Sequence, residues 1–166
     1  MSFKVGEYVV HAAHGVGQIR GLEEKQFPGS ALQWYYVVAT PKSTVWAPVT
    51  LPSAAGLRAL TPKSELKRYR AILKSAPTTL KAERHQRQME LNERLKDGSF
   101  AALCEVVRDL TAISWRKALG ESDNLILRRA RESLSYEWSV ASGLSLAEAS
   151  QEIEALLLEG RKAAAA

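Results

Sequence analysis

The feature that most constrains this chain is a single change of hydrophobic period. Before residue 51, β-branched and aromatic residues sit in short blocks or alternate with polar ones. After residue 62, apolar residues recur three and four positions apart. A period of two suits half-buried strands, and a period near 3.6 suits amphipathic helices. Because the two patterns are segregated rather than interleaved, the fold class predicted is α+β.

In the first part, Tyr8-Val9-Val10-His11 reads as a strand, and Gly15-Val16-Gly17 marks a tight turn or bulge. Gln18–Leu22, Gln33–Val38 and Thr44–Val49 read as further strands, with turns at Pro28-Gly29 and Pro41-Lys42-Ser43. Pro48 cannot donate to a ladder, so its strand ends there or lies at an edge. Short strands at this spacing predict a small SH3- or Tudor-like barrel over residues 1–58. The stretch 51–62, with Pro52, Gly56 and Pro62, reads as the join.

Residues 59–166 are predicted to form an all-α domain of about five helices. Ser64 is the expected cap of the first, with Leu66, Tyr69, Ile72 and Leu73 inward. Pro77 precedes a second helix near 79–96, stopped by Asp97-Gly98. That helix is very polar, and Leu80, Met89, Leu91 and Leu95 must supply its packing. Ser99 is expected to cap the third helix and Ser122 the fourth. Ser145 and Glu148 have capping-box spacing for the fifth, which Gly160 is expected to stop. Residues 161–166 read as a fraying tail, and Trp115 and Trp138 as core anchors.

The formal net charge is +5, and its distribution is uneven. Residues 63–96 carry ten basic and four acidic side chains, whereas 97–166 carry eight and eleven. A basic block on a polar, exposed helix fits a surface facing a polyanion. Solvated charge on a helix face is the alternative. The basic sets are Lys67, Arg68 and Arg70; Lys81, Arg84 and Arg87; and Arg128, Arg129 and Arg131.

Catalytic motifs are missing: there is no GxGxxG, Walker A loop, HExxH or CxxC. His11 and His14 lie near each other without further ligand candidates nearby. Cys104 sits among Leu103, Val106 and Val107 and reads as a small core residue. The reading is therefore a binding protein rather than an enzyme, with no metal, no cofactor and no small-molecule ligand expected. With no long apolar run, no membrane partner is expected, and the start lacks a signal-peptide pattern, so the expected location is cytoplasmic. Trp34, Tyr35 and Tyr36 are consecutive and so alternate between faces. An exposed aromatic beside a free strand edge would suit docking by strand addition.

Phe3-Lys4-Val5-Gly6-Glu7-Tyr8-Val9-Val10-His11, followed by His14-Gly15-Val16-Gly17, resembles the opening of the CarD/CdnL family of bacterial transcription regulators. The same module begins the polymerase-interacting domain of transcription-repair coupling factors. Val45-Trp46-Ala47-Pro48-Val49 and Gly56-Leu57-Arg58 resemble the family's last barrel strand and exit. Leu95-Lys96-Asp97-Gly98-Ser99, Glu105–Leu110 and Leu127–Arg131 resemble its helical domain. The resemblance implies a barrel that binds the β subunit of RNA polymerase through a strand edge. It also implies a helical domain that contacts promoter DNA at the upstream edge of the bubble and stabilises the open complex.

On that resemblance Lys25, Phe27 and Trp46 face the polymerase, while Arg84, His85, Arg87, Arg129 and Arg131 face DNA. Two departures stand out. The tryptophan that relatives wedge into DNA aligns near Arg84 or His85, and no tryptophan lies between Trp46 and Trp115. A basic residue that some relatives use against the polymerase aligns with Trp46, while a second aligns with Lys25 and keeps its charge. A polymerase adaptor without DNA contact is the second reading.

Overall fold

A computed structural model of the chain describes residues 2–96 and 98–165. It divides into two units, Met1–Leu60 and Thr61–Ala166. The first holds β1 (Tyr8–His11), β2 (Gly15–Lys25), β3 (Gln33–Ala39), β4 (Thr44–Pro48) and β5 (Leu57–Ala59). The second holds α1 (Leu66–Lys74), α2 (Arg84–Leu95), α3 (Phe100–Ser114), α4 (Glu121–Ser142) and α5 (Leu146–Ala165). The α+β class therefore matches the sequence reading.

The five strands form one antiparallel sheet in the order β4-β3-β2-β1-β5. Barrel-like curvature is compatible with this order, but β4 and β5 do not pair, so the sheet is open rather than closed. The fifth strand falls inside the segment read as a join, where a 3-10 turn at Pro52–Ala55 returns the chain to pair with β1. Val9, Ile19, Tyr36, Val38, Ala47 and Leu57 make the sheet's core. Gly17 has no room for a side chain, since a Cβ there would lie 2.6 Å from Val38 Cγ1.

The strand irregularity sits later than the sequence suggests. The turn is Ala12–His14, closed by Gly15 at a φ of 77°, which favours glycine. The bulge is at Arg20, where Ile19 pairs Val38 but Gly21 pairs Val37. One extra residue reverses which face the later residues occupy. Ile19 points into the core, and Glu23 and Lys25, which a strict alternation would send inward too, come out on the opposite face.

In the helical unit, Leu66, Leu73, Leu91, Cys104, Leu110, Leu134, Trp138 and Ile153 are fully buried in a single cluster. Each fully buried leucine or isoleucine there contributes roughly 2 kcal/mol relative to exposure. Tyr69, Phe100 and Trp138 pack ring on ring within it. Ser99 caps α3 by accepting from the Ala102 amide, as read. The capping box is also present: the Ser145 amide donates to Glu148, and the Glu148 amide donates to the Ser145 hydroxyl, both at 3.1 Å.

Five helix expectations are corrected. Ser64 does not cap α1, because a 3-10 turn at Lys63–Glu65 feeds the helix and supplies its first acceptors. The second helix begins at Arg84 rather than near 79, since residues 76–83 are held without regular structure by side-chain bonds to their main chain. Glu83 caps it by accepting from the amides of His85 and Gln86. Asp97 of the expected stop lies outside the described residues. Ser122 lies inside α4, which Gly120 leads, and its hydroxyl meets Gln88 instead. Gly160 does not stop α5, which runs to Ala165; a Cβ at 160 would lie 2.8 Å from the Lys74 carbonyl oxygen. The glycine is there for close approach of α1. Met89 supplies no packing either, being 71% exposed, and Leu80 packs from outside the helix.

Candidate functional site

The outward face created by the Arg20 bulge carries the first site. The register places Glu23 opposite Tyr35, Lys25 opposite Gln33, and Trp46 opposite Val37. These residues share the face opposite the Tyr36–Val38–Ala47 core surface. The Lys25 ammonium lies 4.0 Å from the centre of the Trp46 ring. Phe27 meets the same ring edge-on at 6.4 Å and the Tyr35 ring at 5.0 Å. The structure thus brings Lys25, Phe27 and Trp46 into one cluster.

Glu23, which the sequence reading missed, ties the cluster together. Its Oε2 accepts from the Trp46 indole at 3.0 Å and lies 3.3 Å from Lys25 Nζ. Those two bonds, the indole first, hold its carboxyl below the usual carboxylate range. A period of two counted back from Lys25 was the available signal. Tyr35 is fixed in turn by Gln33, whose amide donates to its hydroxyl at 3.0 Å.

β4 is an edge strand with no outer neighbour among the described residues. Thr40 with Ser43 and Val49 with Trp34 are main-chain-bonded pairs across β3 and β4. Antiparallel alternation then turns the main-chain groups of Thr44, Trp46 and Pro48 outward. Trp46 therefore offers its ring to the cluster and its backbone to the free edge. Of the neighbouring aromatics, Tyr35 and Tyr36 are buried and Trp34 is exposed.

The five residues assigned to DNA divide into two kinds. Arg84 and His85 open α2 and are exposed, as is Arg129 on α4, and none of them forms a salt bridge among the described residues. Arg87 points inward and its side chain is 16% exposed. Its Nε and Nη2 both donate to Asp123 Oδ2, and its Nη1 donates to the carbonyls of Lys81 and Ala82. Arg131 is paired with Glu154 of α5. Arg87 and Gln88 thus fasten α2 to the start of α4, while Arg84 and His85 stay free at its tip. Arg70, from the first basic set, is also committed, at 2.6 Å from Glu152.

The remaining candidates are structural. The Nδ1 of His11 accepts from the amides of Ala13 and His14, which closes the turn. Burial, then the nearby His14, lower the pKa of His11 against a bond to Ala55 that raises it. Cys104 is buried, and burial foremost pushes its thiol pKa up, which leaves it a poor nucleophile. Among the described residues no cluster of three or more histidine, cysteine or acidic side chains could hold a metal. Among the described residues no helix is long and apolar enough to cross a membrane.

Residues 3–59 match the model of the CarD-like/TRCF RID domain, and residues 68–154 match that of the CarD C-terminal domain. A Bacillus subtilis (strain 168) protein described as "Putative transcription factor YdeB" is 29% identical over 144 residues, covering 86% of this chain and 94% of its own length. An open five-stranded sheet matching the RID model, followed by helices that match the C-terminal model over more than half of the chain, identifies this protein as a member of the CarD-like family.

Proposed function

We propose that this chain regulates transcription by binding, with no catalytic step. Residues 1–58 dock on the β subunit of RNA polymerase, and residues 59–166 contact promoter DNA near the upstream edge of the bubble. The DNA contacts are largely to phosphates and so modulate open-complex stability without reading sequence. A factor that binds the open complex better than the closed one shifts the population toward open. The working place is the cytoplasm, at the nucleoid through polymerase.

The observation that carries this reading is the cluster of Lys25, Phe27 and Trp46 around Glu23 beside the free edge of β4. Aromatic anchors flanked by an open edge suit strand addition, where main-chain bonds give affinity and side chains give specificity. Arg84 and Arg129 supply the exposed charge on the DNA side, with His85 exposed beside Arg84. Arg87 and Arg131 act there by holding helices in place. The test is binding of the chain to the isolated polymerase β lobe. Binding that weakens with Trp46→Ala supports the reading, and no binding overturns it.

A polymerase adaptor without DNA contact is the second reading. Two of the five assigned DNA residues are engaged in ion pairs, which favours it. Footprinting of the promoter complex separates the two: protection upstream of the bubble supports DNA contact, and its absence supports the adaptor.

A further inference from the structure

The helical unit holds a half-open cavity of about 800 Å³ that no sequence motif announces. It is bounded by the 77–82 segment, the α3–α4 connection and the far end of α5. We propose that it is a binding site for a small amphipathic anion, an apolar body bearing a carboxylate, sulfonate or phosphate head. This stands independently of the polymerase and DNA assignments.

Two features of the lining point to that class. The deep wall is apolar, with Leu73, Leu80 and Leu157 all buried. The buried charges there neutralise one another, Arg87 against Asp123 and Arg108 against Asp109, so they hold the walls rather than attract an ion. The mouth is different. Lys81, Arg116, Lys117 and Arg161 all line the cavity and are exposed, and none of their charged groups forms a salt bridge among the described residues, although the Lys81 amide donates to Glu90. Arg161 rests over the Trp115 ring at 4.7 Å, which leaves its charge available. An apolar interior behind an uncompensated basic mouth selects a ligand with the complementary polarity. The volume lies within the ordinary range of ligand pockets, roughly 300–1,000 Å³.

The test uses the whole chain and anilinonaphthalene sulfonate, an aromatic anion whose fluorescence rises in apolar surroundings. One saturable site per chain is expected, displaced by decanoate and far less by inorganic pyrophosphate. Arg116→Ala with Lys117→Ala, both on the surface, is expected to weaken binding about tenfold. Ala112→Phe, which fills the wall, is expected to abolish it; if that variant fails to fold, the charge variant alone decides. Binding unchanged by the charge variant overturns the proposal. So does displacement by pyrophosphate as effective as by decanoate, or loss of the signal in Trp34→Ser, which would place the probe on the sheet. Absence of any saturable binding overturns it as well.

Discussion

The indole N–H of Trp46 donates to Glu23 Oε2 at 3.0 Å across the outer face of the sheet. The ring is thereby fixed before any partner arrives, because rotation would break the bond and withdraw the stacked Lys25. Trp46→Ala is expected to weaken binding to the polymerase β lobe by about 2 kcal/mol or more, the scale of a buried aromatic anchor. Glu23→Gln keeps the shape but loses the charge, and a smaller loss is expected. Calorimetric titration measures both, and thermal melting of the free variants should change little because the cluster is at the surface.

Arg84 and Arg87 lie one turn apart yet have separate predicted phenotypes. Arg84→Ala should leave stability intact and lower the salt slope of promoter-complex binding by about one. Arg87→Ala strips Asp123 of its cation, and Asp123 Oδ1 already lacks a partner. A loss on the order of 3 kcal/mol in unfolding free energy is expected. Urea unfolding beside a salt titration distinguishes the two effects.

His11 makes the sheet unit sensitive to mild acid. Its neutral ring accepts two amides at Nδ1, and protonation removes that acceptor. With the folded-state value lowered, the unfolded chain binds the proton first. Stability is therefore complete above the unfolded value near 6.5 and falls as pH drops from there through the lower folded value. His11→Asn should flatten this part of the profile, which urea midpoints at pH 7.5 and pH 5.5 will show.

Gly160→Ala tests a site where helix propensity and packing disagree. Propensity alone favours alanine by about 1 kcal/mol. A methyl group 2.8 Å from the Lys74 carbonyl forces α1 and α5 apart instead. Destabilisation of about 1–3 kcal/mol is expected, read from the thermal midpoint.

What could be read in the sequence followed how far away the deciding partner lay. Ser145 and Glu148 satisfy each other three residues apart, so their capping box was legible. Gly160 is decided by Lys74 and the Arg20 bulge by Val37 and Val38, partners that periodicity does not reveal. The start of α2 was misplaced because Asp109, distant in sequence, keeps Thr78 out of a helix. Of the candidate site, Lys25, Phe27 and Trp46 were named from family resemblance; a period of two puts Glu23 on the Lys25 face, but its bond to Trp46 depends on the strand pairing. The arginines of the helical unit could be counted in the sequence but not sorted, since free and engaged guanidinium groups look alike there.

Asp109 also sets how the helical unit comes apart. Its carboxylate takes the Thr78 amide and hydroxyl, Arg108 from its own helix and Arg94 from α2, and these bonds outweigh the burial that opposes its charge. Leu91 is the single fully buried side chain of α2. With so little apolar anchorage, α2 and the 76–83 segment open together as one cooperative element when this carboxylate is lost. In Asp109→Asn, amide hydrogen exchange should accelerate across both stretches in step while the α3–α5 interior keeps its protection, so the element that carries Arg84 and His85 can let go without the rest of the unit.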